Sequence, residues 1–342
     1  MIRENPSPIW SPCFNATPAI ARGLVQIEAA RTLVDSISLP PAGVAALHAR
    51  ARVRAAHYST LIEGNRLILE VAEEVIADET VEIEGLEKDI AEVRNYSKAL
   101  LKADEWAKMS LPLTETIICR FNRLAMTGRS SRPTPLRKKK SAIKSSLTAD
   151  VVYLPPRPED LPELMAALEN WTDLAWGSEL PVPVNAGLVH YQLATIHPFN
   201  DGNGRTARLC ADFILQRDGY GLNGFITPEE QYAEDLLGYF QALNAHPNID
   251  YYEGRAEADL TSWLEYFISS LVKSGEAALR EMAKYYASTP RKIAKSPASP
   301  GPQGAGSAGP LRREGSHHSS RGSLRVGTVR AHGQKPSQRL GG

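Results

Sequence analysis

The chain is short of several features that would have set its class at once. Its 342 residues hold three cysteines, Cys13, Cys119 and Cys210, odd in number and far apart. That pattern excludes a disulfide framework and a four-cysteine zinc site. Aromatic residues make up 7%, and no run of about twenty apolar residues suggests a membrane span. The opening MIRENPSPIW carries none of the apolar stretch of a secretory signal. Net charge is missing too, since 39 basic residues balance 39 acidic ones. The overall balance therefore argues for no polyanionic partner. A soluble, cytoplasmic protein with no membrane partner is expected.

The neutrality hides an asymmetry. Residues 289–342 hold ten basic side chains against one acid, Glu314, which leaves 29 basic and 38 acidic groups in residues 1–288. Of those 54 tail residues 24 are Gly, Ser or Pro, six are aliphatic and none is aromatic. Such a segment cannot bury enough apolar surface to offset its chain entropy, so a disordered, low-complexity basic tail is expected. A nucleic-acid partner through that tail is the minor alternative.

Residues 1–288 read as nearly all helical. Glu28 to Val34 and Leu47 to Tyr58 are poor in Gly and Pro, and Ile83 to Trp106 is a long stretch of helix formers. Leu161, Leu164, Leu168 and Trp171 form an amphipathic stripe, as do Val189, Leu193 and Ile196. Leu209 to Leu215 is apolar nearly all round, which predicts a buried central helix ended by Gly219. Leu260 to Val272 predicts a further amphipathic helix. One region differs: Arg132 to Pro156 holds four prolines, the lysines Lys138–Lys140 and the run Asp150-Val151-Val152-Tyr153-Leu154. Its β-branching and alternation predict a short hairpin. The fold class expected is all-α: a helical bundle with a small β-hairpin flap and a helical N-terminal extension. The boundaries expected are 1–105 for the N-terminal region, 106–275 for the core domain, 276–288 for the end of the helical body and 289–342 for the tail.

The chemistry concentrates in His197-Pro198-Phe199-Asn200-Asp201-Gly202-Asn203-Gly204-Arg205-Thr206-Ala207-Arg208. The segment lies between two helical patterns, so it is a loop that feeds a helix N-terminus. Gly202 and Gly204 let the backbone aim its N–H groups at one centre, and the helix adds its positive end, which together make an anion nest. Arg205 and Arg208 share one helical face and can fork onto phosphate oxygens. Asp201 offers a hard oxygen suited to Mg²⁺ on phosphates. His197, at the loop entrance, can take a proton near neutral pH. Phosphoryl or nucleotidyl transfer needs that set. Gly202-x-Gly204-x-x-Ala207 also fits a dinucleotide fingerprint, but that motif must follow a strand and here follows a helical pattern. No Gly-Lys-Ser/Thr is present for a Walker loop. His190 and His197 are seven apart, which is not zincin spacing; His190 is taken as a core or capping residue.

The segment resembles the Fic-domain signature, His-Pro-Phe-x-(Asp/Glu)-Gly-Asn-Gly-Arg-x-x-Arg, with every fixed position filled. The likeness extends over roughly residues 10–275, through Val152-Tyr153-Leu154-Pro155-Pro156, Pro158 to Met165, Tyr251 to Arg255 and Trp263 to Phe267. A second motif, Ser59-Thr60-Leu61-Ile62-Glu63-Gly64-Asn65, resembles the family's inhibitory motif Ser/Thr-x-x-x-Glu-Gly/Asn, in the subgroup that carries it N-terminally. Ser59 and Glu63 lie on one helical face at i, i+4. The resemblance implies a Fic fold and a protein adenylyltransferase that moves AMP from ATP, with Mg²⁺, to a Ser, Thr or Tyr hydroxyl of a target protein. It makes His197 the base and Asp201 the metal ligand. Asn200, Asp201, Gly202, Asn203, Gly204, Arg205 and Arg208 become the phosphate site, with Asn203 on the α-phosphate. Tyr239, Phe240 and Leu243 are candidates for the adenine wall, and Glu63 with Ser59 becomes the autoinhibitory element. The target is expected to dock at the flap near Val151–Tyr153. Self-modification and a homodimer are left open, as are another nucleotide or phosphate transfer, removal of AMP, and a non-enzymatic DNA-binding regulator. The sequence departs from the family at Pro133 to Ser141, where relatives carry an aromatic before the arginine. It departs again at the tail, where many continue into a winged-helix domain. The residues do not decide whether the tail is native or a frameshifted or truncated replacement.

Overall fold

The computed structural model describes residues 10–130, 132–144 and 150–288. The expected tail, 289–342, and the tip of the expected hairpin, 145–149, lie outside them. Eleven α-helices and two short strands are found among the described residues, which together form one compact unit. The all-α class with a small β flap is therefore what the chain adopts.

α1 (Pro18–Ser36) starts where Thr17 accepts from the Ile20 N–H and Pro18 pre-sets the first turn. It buries Ile20, Ile27, Ala30 and Val34 against α11 (Thr261–Ser288). Gly23 permits that approach, because a Cβ there would run into Ile268. α11 continues sixteen residues past the amphipathic stretch read from the sequence. α2 (Pro41–Leu61), α3 (Leu69–Ala77) and α4 (Glu87–Lys108) follow. α4 begins later than the helix formers at Ile83 suggested, because Gly85 turns the chain at φ +80°. α5 (Glu115–Thr127) is capped by Thr114 and closed by Gly128 in the left-handed region.

The centre is α7 (Val182–Ile196) packed on α8 (Asn203–Arg217), enclosed by α4, α5 and α11. In α7 only Val182 and Ala194 escape full burial, as expected for a helix with no solvent face. The Trp263 indole of α11 donates to the Gly187 carbonyl of α7 at 2.7 Å. α6 (Leu161–Ala175) flanks α7, while α9 (Pro228–Glu234) and α10 (Leu236–Leu243) lie on α11. The flap pairs β1 (Ile143–Lys144) antiparallel with β2 (Val151–Tyr153), Ile143 opposite Tyr153 and Lys144 opposite Val151. Tyr153 roots it: the side chain is buried and its hydroxyl donates to the Thr195 carbonyl at 2.6 Å. Val151 and Val152 face outward, and Lys138, Lys139 and Lys140 are exposed.

Candidate active site

The loop from His197 to Gly202 joins the C-terminus of α7 to the N-terminus of α8. His197 ends α7 at φ +51°, ψ 57°, a left-handed conformation that costs a non-glycine residue about 1–2 kcal/mol. Several bonds hold it there. Its N–H donates to the Leu193 carbonyl at 3.0 Å, and its own carbonyl accepts from Arg137 Nε at 2.8 Å. On the imidazole, Nδ1 lies 3.3 Å from the Ala194 carbonyl, so Nδ1 donates and Nε2 keeps its lone pair. Burial pushes the His197 pKa down to about 4, against the opposing pull of the Ala194 bond. The ring is therefore neutral at pH 7 and able to accept a proton.

Asn203 shapes the loop: its Oδ1 accepts from the Phe199 N–H and its Nδ2 donates to the Phe199 carbonyl, both at 2.9 Å. The amide read from the signature as an α-phosphate ligand is thus also the clamp of its own turn. Gly202 caps α8 at φ +76°, with Met126 and Asn122 where a Cβ would go. Asn122 Nδ2, buried in α5, reaches the Asp201 carbonyl at 2.9 Å and Thr206 Oγ1 at 3.1 Å. Asp201 points outward, its side chain 72% exposed, with Oδ1 accepting from the Gly202 N–H at 2.6 Å. Asn200 is exposed beside it.

Arg205 and Arg208 project from the first turns of α8, and both are buried. Arg205 has carboxylates only at a distance, Asp201 at 3.6 Å and Glu92 at 3.8 Å. Its Nε and Nη1 are buried with no hydrogen-bond partner among the described residues. Buried guanidinium donors left unpaired cost about 1–3 kcal/mol or more, and an anion over the loop would satisfy them. Arg208 is fully engaged. It donates through Nε to Ser59 Oγ at 2.8 Å, through Nη2 to the Ser59 carbonyl at 2.9 Å and to Glu63 Oε1 at 2.7 Å, and through Nη1 to the Tyr239 hydroxyl at 3.4 Å. Burial alone would lower its pKa, but Tyr239, Glu63 and Tyr96 outweigh that and hold it charged.

Glu63 also sits over the nest, since a Cβ on Gly204 would collide with Glu63 Oε1. The motif that puts it there spans the end of α2. The Glu63 N–H bonds to the Thr60 carbonyl, and Gly64 turns the chain at φ +92°. Asn65 Nδ2 then fastens to the Asp89 carbonyl of α4 at 2.9 Å. The candidates for an adenine wall separate: Tyr239 is buried with its hydroxyl on Arg208, Phe240 is 51% exposed and Leu243 half-buried. Two residues of the site escaped sequence reading, Asn122 and Arg137. Each had a faint signal, a lone amide in the apolar face of α5 and an arginine ahead of a lysine run. Among the described residues no cluster of three or more His, Cys, Asp or Glu could hold a metal ion.

A family model described as the Fic/DOC family matches residues 112–215, the stretch from the start of α5 through α8. A curated relative, the protein adenylyltransferase Fic of Drosophila willistoni, is 34% identical over 158 residues. That alignment covers 42% of this chain and 31% of the relative, so the chain spans under a third of that protein. The crystal structure of a Fic family protein from Desulfovibrio desulfuricans superposes with a TM-score of 0.65 at 25% identity, covering 80% of this chain and 78% of that one. A Fic-domain signaling protein from Bacteroides thetaiotaomicron shares the fold with a TM-score of 0.64 at 24% identity, over 77% of this chain and 98% of that one. With the signature loop seated between α7 and α8, residues 112–215 match the Fic/DOC family, and the helical frame is the one common to these Fic structures.

Proposed function

We propose that this protein is a protein adenylyltransferase that moves AMP from ATP to a hydroxyl of a target protein and is held back by Glu63. The observation that carries the reading is Arg205, a buried cation with unpaired donors in the first turn of α8, on the same loop-and-helix segment as the neutral imidazole of His197. Phosphates over the loop would meet the N–H groups at the start of α8, the dipole of that helix and the Arg205 fork. The target oxygen attacks the α-phosphorus and the bond from that phosphorus to the β-phosphate bridge breaks, so pyrophosphate leaves. His197 Nε2 takes the hydroxyl proton. Negative phosphates beside the ring raise its basicity from the depressed resting value. Arg208, once free of Glu63, would grip the γ-phosphate. Asp201 fits as the one outward carboxylate at the loop and would hold Mg²⁺ together with phosphate oxygens, as that ion prefers. The metal supplies charge neutralisation of the leaving pyrophosphate. Val151 and Val152, outward on the flap strand, would line up an extended target segment beside the loop.

The test is incubation with α-labelled ATP and Mg²⁺ in a host lysate, followed by mass analysis of labelled proteins. An added AMP is expected, and His197→Ala should lower its incorporation by about 10²–10⁴-fold. A different added group, or label incorporated by His197→Ala within threefold of wild type, would refute the assignment.

A further inference from the structure

We infer that Tyr239, oriented by His190, is a positioning residue that keeps Arg208 aimed at the nest after Glu63 has withdrawn. The inference rests on the reading above. Arg208 is held from two sides. Its bonds to Ser59 Oγ, the Ser59 carbonyl and Glu63 Oε1 all end on the inhibitory segment of α2. The bond to the Tyr239 hydroxyl ends on α10. When the α2 segment lets go, the α10 contact remains, and a long side chain without it would lose its aim.

The phenol is itself fixed. Its oxygen accepts from Arg208 Nη1, so its proton turns to His190 Nε2, 3.0 Å away. His190 is fully buried among the edges of Tyr232, Tyr239, Trp263 and Phe267. Burial holds it neutral, and the nearby Arg208 charge adds to that, so Nε2 is free to accept. Its Nδ1 has no hydrogen-bond partner among the described residues. A half-satisfied imidazole in an aromatic core costs stability that an apolar side chain would not. What the histidine gives in return is a fixed direction for the Tyr239 hydroxyl, and through it for the guanidinium. The tyrosine ring is already locked, stacked on Tyr232 at 4.8 Å and 20°, so removing only its hydroxyl leaves the packing in place.

The experiment compares Glu63→Gly with Glu63→Gly/Tyr239→Phe in the full chain, by calorimetric titration with Mg-ATP and, separately, Mg-ADP. Arg208 is the γ-phosphate ligand, and ADP has no γ-phosphate. Loss of the hydroxyl should therefore weaken ATP binding about fivefold to tenfold and change ADP binding less than twofold. In transfer assays KM for ATP should rise by the same factor with kcat within twofold, as for binding felt equally in ground and transition states. Equal loss for both nucleotides would mean a structural role and would overturn the inference. Unchanged ATP binding would overturn it alone. If folded Glu63→Gly bound neither nucleotide, the inference would fall together with the functional reading.

Discussion

Glu63 is a carboxylate whose removal should speed the reaction, and that sign makes it informative. It fills the space above Gly204 and occupies Arg208 through a 2.7 Å bond. The arginine side chain is 1% exposed and the glutamate 33%, so the pair is worth more than an open surface pair of about 0–1 kcal/mol. Glu63→Gly should raise label incorporation at equal ATP at least severalfold, and Glu63→Gly/Arg208→Ala should lose the gain. Transfer by Glu63→Gly no faster than wild type, with an acceptor present, would rule out the plug. Much of this site could be read in the chain, because Gly202, Gly204, Arg205 and Arg208 act through fixed spacing along one loop and one helix. The same holds for Ser59 and Glu63, four apart. The Tyr239 hydroxyl was beyond reach, since nothing local tells which side of a short helix meets α8. Asn203 was only half legible, because its bonds to Phe199 depend on a turn whose shape it creates.

Between elements, the flap and the loop are joined by one buried arginine. Arg137, 2% exposed, donates to the carbonyls of His197 at 2.8 Å, Lys139 at 3.0 Å and Pro156 at 2.5 Å. Its backbone N–H also reaches the Pro198 carbonyl at 2.9 Å. Charged hydrogen bonds of this kind contribute about 1.5–3 kcal/mol each. Arg137→Met keeps the stem but strands three carbonyls, so it should cost about 2–4 kcal/mol and lower Tm by roughly 5–10 °C by calorimetry. Arg137→Lys, with a point charge in place of a fork, should recover less than half. A Tm within 1 °C of wild type for Arg137→Met would show that the staple is idle. Helix positions were legible because apolar periodicity survives in α6, α7 and α8. The start of α4 was not, since helix propensity at Ile83 gave way to the Gly85 turn. The full length of α11 was not either, because its later turns are set by packing on α1 rather than by a strong stripe.

Across the whole molecule, buried acids set how stability changes with pH. Burial pushes the Glu229 carboxyl up to about 8 and Asp212 up to about 7. In the unfolded chain both release their protons near pH 4. The folded state thus holds protons that the unfolded state has lost, and stability falls as pH rises from there through about 8. The depressed histidines, His48, His57, His190 and His197, act in the opposite direction, but only below about pH 6.5. Above pH 6.5 the acids set the slope, joined toward pH 8.5 by the buried thiols of Cys119 and Cys210, whose pKa burial also raises, so Tm should fall across that interval. Glu229→Gln should remove up to about 1.4 kcal/mol per pH unit of the slope; an identical slope in wild type and variant would exclude Glu229 as its source. The contact between Glu63 and Arg208 has one more consequence, for quantity rather than strength. Both groups belong to one chain, so a plug made by Glu63 would be present at an effective concentration that dilution of the protein does not alter. On the proposed autoinhibition the unplugged fraction would be the same in a nanomolar assay as in a concentrated one, and a ligand that competes for Arg208, or one that moves the end of α2, would change it.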